Sequence, residues 1–160
     1  MESKLFGEVV KIEPRFAVIE DIKQLESFFS KHVTRENKAV YNEEFICPLG
    51  LRAAVKKRSV VVMSMDDIII AAARIYLKKN GTISLYQFAV AERYRHKNLM
   101  RYLLSQIGYP VFSSCPSNLK FNNYYMDSKW SFIETKKGMN IWKLEPDILS
   151  ESTFPNISLK

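Results

Sequence analysis

The chain predicts an α/β (α+β) domain: strands come first in a run, then strands alternate with helices, with no internal repeat along its 160 residues. Three observations carry this. Two apolar runs, IIIAAARIYL and TISLYQFAV, flank Asn80-Gly81, a pair that signals a two-residue hairpin and sets the second run antiparallel to the first. Leu99, Tyr102, Leu103 and Ile107 repeat at helical spacing before the stop signals Gly108 and Pro110. Apolar residues make up 47% of the chain and aromatics 12%, enough for one domain with a single core.

The elements follow in order. After Pro14, RFAVI reads as a short strand, and Glu20-Asp21 open a helix whose Ile22, Leu25, Phe28, Phe29 and Val33 share one face. Residues 34–58 are less regular: Pro48 and Gly50 interrupt them, and one or two short helices end in the basic run Lys56, Lys57, Arg58. SVVVMS, residues 59–64, is a strand, Asp66-Asp67 a turn, and the hairpin above follows. After the helix from Leu99, VFSSC forms a strand and Pro116-Ser117 begin a helix with Phe121, Tyr124 and Tyr125 on one side. SFIET and NIWKL are the last strands, joined by the turn KKGM. Residues 1–144 thus read as a single domain, and 145–160, with two prolines and four Ser or Thr, as a C-terminal surface extension.

Charge and cysteine content narrow the partners. With 24 Lys and Arg against 17 Asp and Glu, the net charge of +7 favours an anionic partner: a phosphorylated cofactor, a nucleic acid or an acidic surface. Cys47 and Cys115 show no metal spacing, so no metal site is expected, and both read as reduced, buried thiols of a cytoplasmic protein. No apolar run approaches the roughly 18 residues that would cross a bilayer, so no membrane partner is expected. Around the join of strand and helix in VAERYRHKNLMRYLL, Arg93, Arg95, Lys97 and Arg101 crowd a helix start, where unpaired N–H groups and the positive dipole end suit a phosphate.

Those residues also carry a family resemblance. To the pattern V-x-P-x-[YF]-R-G-x-G-[IL]-G correspond Val90, Ala91, Glu92, Arg93, Tyr94, Arg95, His96, Lys97, Asn98, Leu99 and Met100, with Leu103-Leu104 behind. The pattern N-x-x-A-x-x-[FL]-Y-x-x-x-G-[FW] resembles Asn118, Phe121, Tyr124, Tyr125, Lys129 and Trp130. In both, and in the order of elements over about residues 15–144, the chain resembles the GNAT superfamily of N-acetyltransferases. The resemblance implies a mixed, mostly antiparallel sheet of about six to seven strands flanked by about four helices. It also implies acetyl-CoA as co-substrate, passing its acetyl group to a primary amine by direct attack on the thioester. Where the family has glycines, this chain has His96, Asn98, Met100 and Lys129. Asn98 tolerates unusual backbone angles, whereas His96 and Met100 add bulk close to the anion site.

Carried over by position, backbone N–H groups of residues 96–101 (His96, Lys97, Asn98, Leu99 and Met100 among them) would hold the phosphates, with Arg95 or Lys97 as counter-charges and Asn118 nearby. Main-chain groups of Phe88, Ala89 and Val90 would pair with the pantetheine arm as an added strand, and Tyr125 would protonate the departing thiolate. A phenol near pKa 10 can donate to a thiolate of pKa about 8.5. The alternative for Tyr125 is core packing. No carboxylate stands on the strand 82–90, which offers only Ser84, Tyr86 and Gln87. The base is then a water relay or another residue, with Glu43, Glu44, His32 and His96 as candidates and caps or anion contacts as their alternative roles.

Two further functional classes stay open. Arg52, Lys56, Lys57, Arg58, Lys120, Lys136 and Lys137 could bind nucleic acid. The missing glycines and strand carboxylate would also suit a catalytically silent interaction module. Neither the acceptor nor the oligomeric state can be read from the residues, because specificity lies in segment 34–58 and the final hairpin.

Overall fold

In β2 (Glu8–Phe16), the computed structural model places Pro14 inside the strand rather than before it. The structure describes residues 2–5, 8–32 and 48–146. Residues 8–11 pair with β1 (Glu2–Leu5), and residues 12–16 pair on the other side with β3 (Val60–Met65). Among the described residues Pro14 therefore stands where one side of the strand has no partner, and its missing N–H breaks no ladder. The expected strand RFAVI ends at Phe16, and Ile19–Asp21 instead form a 3-10 turn. Asp21 shapes that turn: its carboxylate accepts from the Val18 N–H at 2.8 Å and from two Arg15 nitrogens at 2.7 and 3.0 Å.

Helix α1 (Ile22–His32) follows directly, burying Ile22, Leu25, Phe28 and Phe29 at the spacing read from the sequence. Helix α2 (Pro48–Lys56) contains both residues expected to interrupt the segment. A proline in the first helical turn loses no hydrogen bond, since those N–H groups have no partner in the helix anyway. Residues 33–47, with Val33, Glu43, Glu44 and Cys47, lie outside the described residues, as do 147–160.

β4 (Ile68–Leu77) and β5 (Ile83–Val90) pair antiparallel, but their connection is longer than two residues. Lys78 donates to the Thr82 carbonyl at 2.8 Å and Gly81 to the Lys78 carbonyl at 3.1 Å, leaving residues 79–81 as the loop, with Gly81 at φ +82°. A three-residue loop with a left-handed last residue closes in this way. A second irregularity matters more. Arg74 registers opposite Gln87 while Ile75 registers opposite Leu85, so Tyr86 is an extra residue and β5 is bulged there.

Helix α3 (Leu99–Ser105) buries Leu99, Met100, Leu103 and Leu104, with Tyr102 only half-buried. β6 (Val111–Pro116) lies parallel to β5. Pro116 ends that strand rather than starting a helix, and α4 (Asn122–Asp127) begins only after a turn. β7 (Ser131–Lys136) and β8 (Met139–Leu144) complete the sheet, whose order is β1-β2-β3-β4-β5-β6-β8-β7. β2 to β8 are seven strands, all antiparallel to their neighbours except β5 and β6, and β1 is a four-residue addition at the edge.

Helices cover both faces. On one, Leu25 and Phe29 of α1 and Leu51 and Val55 of α2 pack with Val60, Val62, Ala72 and Ala89. On the other, Leu99, Leu103 and Leu104 of α3 and Tyr125 of α4 pack with Val61, Met63, Ala73 and Ile83. The run Ala71-Ala72-Ala73, fully buried at the sheet centre, keeps both helical layers close to the backbone. No helix among the described residues is long and apolar enough to cross a membrane.

Candidate active site

The parallel pair β5–β6 is short. Its register covers only Ile83 with Val111 and Ser84 with Phe112, although β5 continues to Val90. Beyond Ser84 the strands part, and among the described residues the β6-facing edge of β5 has no strand beside it. A cleft of about 650 Å³ opens at this level, within the size range of small-molecule sites.

Phe88, Ala89 and Val90 of β5 line the cleft. Tyr94, Arg95, His96, Asn98, Leu99 and Met100 form one wall, Lys120, Phe121, Tyr124, Asp127 and Ser128 the other, and His32 closes the α1 end. Eight of the residues expected to meet a cofactor therefore come together: Phe88, Ala89, Val90, Arg95, His96, Asn98, Leu99 and Met100. Lys97 and Asn118 are exposed outside the lining, with Lys97 Nζ 5.8 Å from the centre of the Tyr94 ring. Phe121 and Tyr124 were legible as residues of one helix side, because steps of three and four residues return to one face. Asp127 and Ser128 carried no signal in the sequence.

The loop before α3 explains how glycine positions tolerate side chains. His96 and Asn98 both adopt left-handed backbone, at φ +64° and +57°, and so does Lys129, at φ +60°. The turn a glycine would make is thus kept, at a conformational cost that is smallest for Asn. The first helical hydrogen bond of α3 runs from the Tyr102 N–H to the Asn98 carbonyl at 3.0 Å. The N–H groups of Leu99, Met100 and Arg101 consequently have no partner within the helix. Met100 itself is 2% exposed and packs in the core while also bordering the cleft.

Arg95 also ties two elements together. Its Nε donates to the Val90 carbonyl and its Nη2 to the His32 carbonyl, both at 3.0 Å. The guanidinium ties the end of β5 to the last turn of α1, where a cation also suits the helix dipole. Burial holds the His32 imidazole below its usual pKa, and Lys31 and Arg95 lower it further against the opposing charge of Glu92, so it is neutral at pH 7.

The two adjacent tyrosines part company. Tyr125, expected as the proton donor, is 1% exposed and absent from the cleft lining. Its hydroxyl is 2.7 Å from Ser113 Oγ, and its ring stacks on Trp142 at 5.5 Å and meets Trp130 edge-on at 5.2 Å. Its packing is that of a core residue. Of this pair Tyr124 is the one on the cleft, stacked on Phe121 at 5.3 Å and 5.2 Å from the Phe88 ring. Burial pushes its hydroxyl up to about 12, against the opposing hydrogen bond with Ser128, so it stays protonated at neutral pH. The Cys115 thiol is fully buried and its pKa is raised by that burial, as befits an inert thiol.

No family model and no curated protein matches the chain. Solved structures do. The PaiA N-acetyltransferase of Thermoplasma acidophilum, solved with coenzyme A, superposes with a TM-score of 0.66 at 16% identity, over 84% of this chain and 99% of its own. A GNAT-family acetyltransferase of Listeria monocytogenes gives 0.64 at 12% identity, over 89% and 98%. YncA of Salmonella typhimurium, solved with its cofactor acetyl-CoA, gives 0.58 at 15% identity, over 92% and 99%. The chain has the fold of the GNAT superfamily of N-acetyltransferases.

Proposed function

We propose that the chain is an N-acetyltransferase that binds acetyl-CoA in this cleft and acetylates a primary amine. The observation that carries the reading is the parting of β5 from β6 after Ser84, which leaves a strand edge open beside a cleft lined by Phe88, Ala89 and Val90. An extended ligand with amide groups can add to such an edge as a strand would. The fit extends to the ends of the cleft. Phe88, Phe121 and Tyr124 offer an aromatic wall to an apolar arm, and the free N–H groups at the start of α3, with Lys120 across the cleft, suit phosphates.

Bound there, acetyl-CoA would supply an activated acetyl thioester. Within the chain, Arg95 fixes the end of β5, the left-handed pair His96 and Asn98 turns backbone N–H groups toward the anion, and Tyr124 Oη holds a proton for a departing thiolate. The test is binding followed by turnover. Acetyl-CoA at 100 times its Kd should stabilise the fold by about 2.7 kcal/mol. Lys120→Glu should weaken binding about tenfold, since it sets a like charge against phosphate. Coenzyme A thiol release should require a primary amine. A melting temperature unmoved by millimolar acetyl-CoA would overturn the reading.

A further inference from the structure

Of the described residues that line the cleft, His32 alone comes from a helix on the far side of the sheet. α1 packs on the face opposite α3 and α4, yet its last turn reaches the cleft where β5 ends. The approach is fixed at the backbone, because Arg95 donates to the His32 carbonyl and to the Val90 carbonyl, both at 3.0 Å. The side chain is held as well: the His32 ring lies 4.7 Å from that of Phe28, which is buried in the α1–α2 core. His32 thus borders the end of the cleft where Val90 leads into the loop before α3. On the reading above, that end receives the phosphates.

We infer that His32 is a ligand of the cofactor's diphosphate, donating to it as an imidazolium from the side opposite the α3 N–H groups; this rests on the acetyl-CoA reading above. The place favours a cation that appears only with the anion. The last turn of a helix presents carbonyl groups and the negative end of the dipole, which repel a phosphate. Arg95 commits two of its nitrogens to the His32 and Val90 carbonyls, so a second cation beside it offsets the remaining repulsion. Within the chain alone the imidazole is neutral at pH 7: burial, then Lys31 and Arg95, hold its pKa down against the opposing charge of Glu92. His96, Lys120, Asp127 and the phenols of Tyr94 and Tyr124 line the same cleft. A diphosphate within about 4–6 Å reverses the balance, because an opposite charge favours the protonated ring. The imidazole then takes up one proton from solvent, and both its nitrogens become donors. Binding and protonation are therefore linked: affinity is greatest at low pH and declines as pH rises through the raised, ligand-bound value.

The chain has two histidines, so the imidazoles of the full-length protein can be titrated individually by NMR, with His96→Gln supplying the assignment. On saturation with acetyl-CoA in the absence of any amine, the His32 midpoint should move up by at least about one pH unit. Calorimetry from about pH 5.5 to pH 8 then compares the wild type with His32→Gln, which controls for titration of the ligand's own phosphates and of His96. The two Kd values should converge near the upper limit, and the variant should bind about five- to tenfold more weakly near the lower one. A His32 midpoint unmoved by saturating acetyl-CoA, or the same pH profile of Kd in both proteins, would overturn this inference alone. So would an unchanged Kd in His32→Gln joined to a fall in kcat, which would make the imidazole the base for the amine instead. Failure of the wild type to bind acetyl-CoA at any pH would overturn the cofactor reading and this one with it.

Discussion

Tyr124 and Tyr125 differ by one helical step, about 100° of rotation, and that step separates cleft from core. Their phenylalanine variants should therefore separate chemistry from stability. Tyr124→Phe keeps the ring against Phe88 and Phe121 but removes the only proton it can give, so turnover should fall about 10²-fold with acetyl-CoA affinity little changed. Tyr125→Phe leaves the buried Ser113 hydroxyl without its partner and should cost about 1–2 kcal/mol in urea unfolding while turnover at full occupancy holds. The reverse pattern would return the proton to Tyr125. The left-handed residues give a second expectation at this scale. Replacing His96 or Lys129 by glycine relieves φ +64° and φ +60° and should stabilise the fold by about 0.5–1 kcal/mol each, net of the added chain entropy.

Among the elements, the entry to α1 depends on one carboxylate. Burial pushes the Asp21 carboxyl up, but the Arg15 hydrogen bonds, the Val18 N–H and the Arg15 charge outweigh it, and the net pKa lies below the ordinary 3.8. Its stabilisation is accordingly complete above about pH 3.8 and is lost as pH falls through the lower, folded value. Asp21→Ala should cost about 1–2 kcal/mol at pH 7, and its stability should fall less steeply than the wild type's below pH 3.8. Elements of this kind were legible to different degrees. α1 and β4 followed from apolar spacing, and the hairpin pair β4–β5 from Asn80-Gly81, because those signals are local. Pro14, Pro48 and Pro116 misled about boundaries, since each sits where its missing N–H is harmless: an unpaired strand edge, a first helical turn, a strand end. The parting of β5 from β6 could not be read at all, because it is set by pairing between segments about 28 residues apart in sequence.

For the molecule as a whole, the sheet delivers three distant segments to one place: β5 with the α3 loop, α4, and the end of α1 held by Arg95. The motif residues from Phe88 to Met100 were readable as a site because they adjoin in sequence, whereas His32, Asp127 and Ser128 join them only through the fold. Basic charge was readable as a preference for anions, and the cation that lines the cleft across from α3 is Lys120, which the sequence placed among residues that could bind nucleic acid. The central claim is that acetyl-CoA lies along the open edge of β5 with its phosphates at the start of α3. Amide hydrogen exchange with and without acetyl-CoA tests it most directly, since amides that gain ligand partners exchange more slowly. The account predicts new protection in peptides covering residues 85–90 and 98–101. Protection confined to the α2 end near Lys56, or an exchange pattern indifferent to the ligand, would contradict it.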